Sequence, residues 1–189
     1  MNILSPNDFV RTNTTIATTP LLPEIRLHLA TEITPLWEAT EETLRESNVP
    51  PPYWAFAWPG GQAVARLVLD RPELVAGKSV LDFAAGTGLV GIAAAKAGAA
   101  RVQSCDIDRF ALAAIGVNAD LNGVAVKAVS ADLVGRDLPG IDVVLAGDVC
   151  YEKPMADRVT AWLRGVAATG TLVLLGDPGR AYVPTSGIE

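Results

Sequence analysis

The sequence predicts an α/β fold built on a parallel sheet, and three observations carry that reading. From residue 79 onward, short apolar runs alternate with helix-like stretches of about 10–15 residues, the pattern of successive βαβ units. A glycine-rich loop, Gly86-Thr87-Gly88-Leu89-Val90-Gly91, follows the first of those runs. Four runs end at or near an aspartate: Asp82, Asp106, Asp132 and Asp148. Parallel strands joined by right-handed crossovers bring all four acids to the same edge of the sheet.

The elements follow in order. Ser79–Phe83 is a strand, and a helix pattern then runs to about residue 97. Arg101–Cys105 is the second strand. Phe110–Leu121 is a helix that Asp108 caps and Asn122-Gly123 stops. Val124–Val129 is a strand, Ile141–Ala146 is a buried one, and a helix near 154–167 leads to a strand at Thr171–Leu175. Ahead of these lie a helix at 61–70 and the aromatic cluster Tyr53-Trp54-Ala55-Phe56-Ala57-Trp58, which ends in a turn at Pro59-Gly60-Gly61. Pro50-Pro51-Pro52 forms a stiff spacer. Residues 1–52 read as a partly helical extension, with helix-like stretches near 23–32 and 35–47, and residues 53–189 as the core of one domain.

Composition narrows the function. Half of the 189 residues are hydrophobic, which argues against disorder. The apolar stretch 89–100 is too short to cross a bilayer. A net charge of −6 offers no basic face for nucleic acid and suits a small molecule or a basic group such as a lysine side chain. Cys105 and Cys150 stand far apart in apolar stretches and read as buried, inert thiols, with no metal spacing. No signal-peptide pattern opens the chain, and a cytoplasmic setting is expected.

The glycine loop matches G-x-G-x-x-G, and Asp106 lies where a ribose-binding acid would follow it. A nicotinamide oxidoreductase is therefore one reading. Asp82 opposes it. A carboxylate just ahead of the loop repels a pyrophosphate, which wants bare N–H groups, but attracts the ammonium and sulfonium of a methionine-derived ligand. The glycines let backbone approach either ligand. Asp106 then takes the ribose hydroxyls, and Asp132, with Leu133 beside it, meets the adenine.

These residues resemble a known family. Val80-Leu81-Asp82-Phe83-Ala84-Ala85-Gly86-Thr87-Gly88 resembles motif I of the class I methyltransferases, with Ala84 where the first glycine often stands. Asp106-Ile107-Asp108 and Asn118-Ala119-Asp120-Leu121-Asn122-Gly123 resemble the motifs that follow it. Asp148-Val149-Cys150-Tyr151 resembles the acid-x-x-aromatic signature of seven-β-strand protein lysine methyltransferases. The segments 53–62 and 176–180, with Pro23-Glu24-Ile25-Arg26-Leu27, are similar to bacterial relatives of the electron transfer flavoprotein β-subunit lysine methyltransferase.

The resemblance implies a Rossmann-like sheet in the order 3-2-1-4-5 with helices on both faces. It implies S-adenosyl-L-methionine as cofactor, held by Trp58, Asp82, Ala84, Gly86, Gly88, Asp106, Ile107, Asp132, Leu133 and Asp148. It also implies transfer to a lysine ε-amine of a protein, with the electron transfer flavoprotein β subunit as the expected acceptor. Asp148 would receive the amine by hydrogen bonding and Tyr151 would wall its channel. Gln62 would touch the cofactor, and Asp177 and Arg180 the protein substrate. Trp37, Trp54, Phe56 and Trp162 are expected to pack, and His28 carries no chemistry.

The class I pattern has two further strands after the fifth, and no sequence for them is visible before Glu189. The expected alternatives are a small-molecule amine or a ribosomal protein as acceptor, or a non-catalytic binding module.

Overall fold

The computed structural model describes residues 5–30 and 51–187. Helix α1 (Pro6–Asn13) starts at Ser5, whose hydroxyl accepts the Asp8 N–H, and carries proline in its first turn. Strands β1 (Thr15–Thr19) and β2 (Leu22–Leu29) form an antiparallel hairpin. The stretch near 23–32, expected to be helical, is thus mainly strand. Tertiary pairing decides it. The N–H groups of Arg26 and His28 point from one edge of β2 and are taken by the side-chain oxygens of Asn122 and Asn118. Strand spacing of two on one element meets helix spacing of four on the other. The expected helix at 35–47 and Trp37 lie outside the described residues.

The core follows the predicted alternation. Helix α2 spans Pro59–Asp70, β3 Ser79–Phe83, α3 Leu89–Lys96, β4 Arg101–Asp106, α4 Arg109–Asn122, β5 Lys127–Ser130, β6 Val143–Gly147, α5 Lys153–Ala168 and β7 Leu172–Gly176. The five core strands are parallel in the order β5-β4-β3-β6-β7, which is the expected 3-2-1-4-5. Asp108 caps α4 through the Phe110 N–H, and Gly123, left-handed at φ 65°, ends it.

Side-chain alternation along the sheet divides the core. Val80, Val102, Val143 and Leu145 face α2, α3 and β2. Leu81, Phe83, Val144 and Ala146 face α5, where Trp162 packs against Phe83 with ring centroids 4.9 Å apart. Val10, Trp54 and Ala114 join α1, the 3₁₀ turn Tyr53–Ala55 and α4 in a third cluster. No helix among the described residues is long and apolar enough to cross a membrane.

Candidate active site at the sheet switch point

Strand order reverses between β3 and β6, and open α/β sheets hold ligands at that point, outside the carboxyl ends of the strands. A cavity of about 550 Å³ opens there, within the range of ligand pockets. Trp54, Trp58, Phe83, Ala84, Gly86, Asp106, Ile107, Asp132, Asp148 and Tyr151 all line it. Seven of the ten residues expected to hold cofactor therefore converge, together with Tyr151.

The loop after β3 is held from several directions. Asp106, at the tip of β4, accepts the Gly86 N–H at 2.9 Å through one carboxylate oxygen and the Asp108 N–H at 3.0 Å through the other. Buried Asn118 donates to the Thr87 carbonyl at 2.9 Å and so ties the loop to α4. Gly86 sits at φ 51° on the cavity wall. Ala84 lies at φ 53°, a left-handed conformation that an alanine enters only at a cost. That explains why glycine often occupies this place in motif I.

Four expected contacts, those of Asp82, Gly88, Leu133 and Gln62, are corrected. Asp82 does not face the cavity. It is 1% exposed, and one carboxylate oxygen accepts the Gly91 N–H and the Ser104 hydroxyl, each at 2.9 Å. Depth joins pleat as the reason: Asp82 lies one residue before the end of β3 and, with its neighbour Ser104 on β4, sits beneath the N-terminus of α3. Burial drives its carboxyl up to about 7, against the pull of the Ser104 and Gly91 hydrogen bonds. The attraction expected between Asp82 and a cationic ligand is therefore not a contact in this cleft.

Gly88 is also absent from the lining. It stands at φ 77°, where a Cβ would lie 3.1 Å from Ile115 Cα, so its smallness serves the packing of the loop on α4. Leu133, partly buried, packs against the cluster under α5, and Val134 lines the cavity in its place. Gln62 donates to the Ala57 carbonyl at 2.6 Å instead of pointing into the cleft.

The end of α3 bears on the dinucleotide reading. The Leu89 N–H is held by the Thr87 hydroxyl and the Gly91 N–H by Asp82. Two of the donors that a pyrophosphate would need there are already taken.

The other side of the cavity is built around Asp148, just past β6, at φ 60° and 9% exposed. One carboxylate oxygen accepts the Gly61 N–H at 2.7 Å, and the other accepts from the Arg180 guanidinium at 2.7 Å. Arg180 also donates at 2.8 Å to Asp177, whose side chain is 1% exposed and whose other oxygen holds the N–H groups of Gly179 and Arg180. Sequence reasoning placed Arg180 toward a substrate surface. It lines the cavity itself, and only the fold could show this, since it is 32 residues from Asp148.

Tyr151 is 44% exposed at the cavity and packs beside Tyr53, with ring centroids 5.7 Å apart. Trp58 donates its ring N–H to the Tyr53 carbonyl at 2.9 Å, which fixes the aromatic wall. Met155 and Arg158 of α5 complete the lining, with no motif to announce them. Cys105 and Cys150 are buried free thiols, both pushed up by burial, Cys105 to about 11. His28 is paired with the Thr14 hydroxyl, away from the cleft.

Comparison with known proteins matches this geometry. Residues 65–152 match the family described as Ribosomal protein L11 methyltransferase (PrmA). Over 177 residues the chain is 42% identical to the electron transfer flavoprotein beta subunit lysine methyltransferase of Danio rerio, covering 92% of this chain and 67% of that protein. It is 40% identical over 178 residues to the Xenopus laevis protein of the same name, covering 93% of this chain and 71% of that one. This chain thus spans about two thirds of the length of those relatives. The solved structure of Trm5b from Pyrococcus abyssi shares the fold, with a TM-score of 0.52 at 20% identity over 79% of this chain and 37% of that one. With motif I, the switch-point cleft and a match along nearly its whole length, the chain belongs to the electron transfer flavoprotein beta subunit lysine methyltransferase family.

Proposed function

We propose that this chain transfers a methyl group from S-adenosylmethionine to lysine ε-amines of a protein, and that the protein is the β subunit of electron transfer flavoprotein. The observation that carries the reading is one cleft lined both by the Gly86–Asp106 loop assembly and by the pair Asp148 and Tyr151.

The cleft suits that cofactor. Gly86 presents bare backbone, Asp106 a half-buried carboxylate for ribose hydroxyls, and Asp132 an exposed acceptor for an exocyclic amine. Ala84 and Trp58 would hold the methionine end, and Ile107 and Val134 would supply apolar surface. When bound, S-adenosylmethionine supplies a methyl carbon made electrophilic by its sulfonium. The protein's part is placement and electrostatics. A lysine side chain has a pKa of about 10.4, so freeing its lone pair near neutral pH costs about 4 kcal/mol. Asp148 uses one lone pair on each oxygen for Gly61 and Arg180, which leaves acceptor capacity for the amine. Tyr151 walls the approach, and the amine proton leaves to water.

The test is incubation of the protein with isotopically labelled S-adenosylmethionine and purified electron transfer flavoprotein β subunit, alongside a cell lysate, followed by peptide mass spectrometry. Label on lysines of that subunit is the expected result. Label confined to a ribosomal protein or to the small-molecule fraction would overturn the substrate. Calorimetry with S-adenosylhomocysteine is expected to give a saturable binding isotherm; no heat at near-millimolar ligand, with no label on any acceptor, would favour a non-catalytic scaffold.

A further inference from the structure

The environment of Asp148 raises a chemical difficulty that Arg180 resolves. A bare carboxylate facing a lysine holds it as the ammonium, the form that has no lone pair to give. Asp148 is not bare. Its outward oxygen carries the Arg180 guanidinium at 2.7 Å, and that guanidinium is itself fixed by buried Asp177 at 2.8 Å. Asp177 is committed to the turn through the Gly179 and Arg180 N–H groups. A half-buried cation, tied at both its own backbone and its side chain, therefore stands at the cleft wall beside the carboxylate.

We propose that Arg180 is a positioning residue for methyl transfer: it offsets part of the charge of Asp148 and aims it, so that the acceptor lysine docks as the free amine. The inference rests on Asp148 receiving that amine, as proposed above. Arg180 stays charged throughout the working pH range; burial opposes its charge, and the carboxylates of Asp148 and Asp177 outweigh burial. Shared between Asp148 and Asp177, this fixed cation leaves one net negative charge on the trio and so offsets part of the charge of Asp148 without itself titrating. The geometry also specifies arginine. Its one terminal nitrogen reaches both carboxylates while the guanidinium keeps further donors.

The other charged or titratable groups around the cleft are the buried Cys150 thiol, which feels both Asp177 and Arg180, Asp106 from the tip of β4 with Cys105 and Asp108 on either side, Asp132 and Arg158 across the cavity, Glu152 beside Tyr151, and the phenols of Tyr53 and Tyr151. Burial pushes the Tyr151 phenol up, and Tyr53, Glu152 and Asp106 add to that. Arg180→Gln leaves all of these residues in the sequence, and of them the Cys150 thiol, raised by burial and by Asp177, is the one that Arg180 also acts on.

The experiment is the pH dependence of kcat/KM from about pH 6.5 to 9.5 on the lysine acceptor found by the labelling assay, for the wild type, Arg180→Gln, Arg180→Lys and Asp148→Asn. Melting temperature and S-adenosylhomocysteine affinity are measured for each. Arg180→Gln is expected to move the ascending limb up by about one pH unit, a rate loss of about tenfold near pH 7.5 that closes toward high pH. Arg180→Lys is expected to keep the midpoint and lower the rate at every pH. An unmoved midpoint in Arg180→Gln, or a loss uniform across pH, would overturn the inference and leave Arg180 a structural ion pair. If Asp148→Asn keeps the full rate, the role given to Asp148 fails first and takes this inference with it. If Asp148→Asn is impaired while the Arg180→Gln midpoint stays put, only the role of Arg180 falls.

Discussion

The Asp148 carboxylate accepts the Gly61 N–H at 2.7 Å, so a residue at the tip of β6 caps helix α2 across 87 positions of sequence. Gly61 is the third residue of that helix, where an unpaired N–H seeks an acceptor, and the preceding Trp58 supplies no side-chain cap. Cap and cleft thus share one group. Asp148→Ala is expected to lose about 1–2 kcal/mol with the cap, in addition to leaving Arg180 with Asp177 alone. Asp148→Asn retains an acceptor for Gly61 and is expected to lose less stability while losing most of the transfer rate. Urea denaturation beside a methylation assay separates the two effects. Equal loss of stability in both variants would contradict this division of labour.

Asp82 couples stability to pH through its burial. Its folded-state pKa of about 7 lies above the ordinary value of 3.8, so between those values the folded chain holds a proton that the unfolded chain has lost. Stability therefore falls as pH rises through that window and levels off above about 7. From pH 5 to pH 8 this one group costs on the order of 2 kcal/mol. Asp82→Asn mimics the neutral acid and keeps an acceptor for Gly91 and Ser104, so it is expected to remove that part of the slope. Asp82→Ala strands both donors and is expected to cost about 2–4 kcal/mol at every pH. Denaturation midpoints of the three proteins at pH 5 and pH 8 check it, and a wild-type slope that survives in Asp82→Asn would refute it.

Asp82 also marks the boundary of what the sequence makes legible. Strand alternation and the G-x-G loop announce the sheet, its order and its ligand-binding edge, because those depend on short-range periodicity and on turns. Whether an acid near a strand end looks into the cleft or under a helix depends on its depth along the sheet as well as on the pleat. Asp106 lies two residues beyond Ser104, the neighbour of Asp82, so the two acids share a pleat phase, and only the one further along the strand reaches the cleft. The β1–β2 hairpin was hidden for another reason. Ile25, Leu27 and Leu29 do alternate, but β2 is completed by Asn118 and Asn122, about 90 residues away in sequence. Arg180 belongs with it: no local pattern distinguishes a turn arginine that joins a surface ion pair from one that reaches Asp148.

Gly60 and Gly147 let the start of α2 rest on the ends of β6 and β7. A Cβ on Gly60 would fall inside the contact radius of the Gly176 carbonyl oxygen and 2.7 Å from the Asp148 carboxylate, and a Cβ on Gly147 would meet Gly61 Cα at 2.5 Å. Backbone is the obstacle in each case, so no rotamer change relieves it. Gly60→Ala is expected to cost about 3 kcal/mol or more and to displace Asp148 with the helix. Gly116→Ala on α4, where nothing lies within 4 Å of the added carbon, serves as the comparison and should be neutral or slightly stabilising. Thermal denaturation of the pair tests it, and similar melting temperatures would show that α2 is free to shift.

Ala84 offers the opposite prospect, a gain of stability inside the cleft. Its φ of 53° is a conformation that costs a non-glycine residue about 1–3 kcal/mol. Glycine relieves that strain but loses about 0.5–1 kcal/mol more backbone entropy on folding. The balance favours glycine, so Ala84→Gly is expected to raise stability by about 1 kcal/mol, seen as a higher urea midpoint at constant slope. Ala84→Val tests the same cause with the sign reversed. A β-branched side chain at this φ adds strain and projects onto the cleft wall, so it should lower both stability and S-adenosylhomocysteine affinity. Should Ala84→Gly prove less stable than the wild type, the left-handed loop is not strained in solution, and the alanine in motif I needs another explanation.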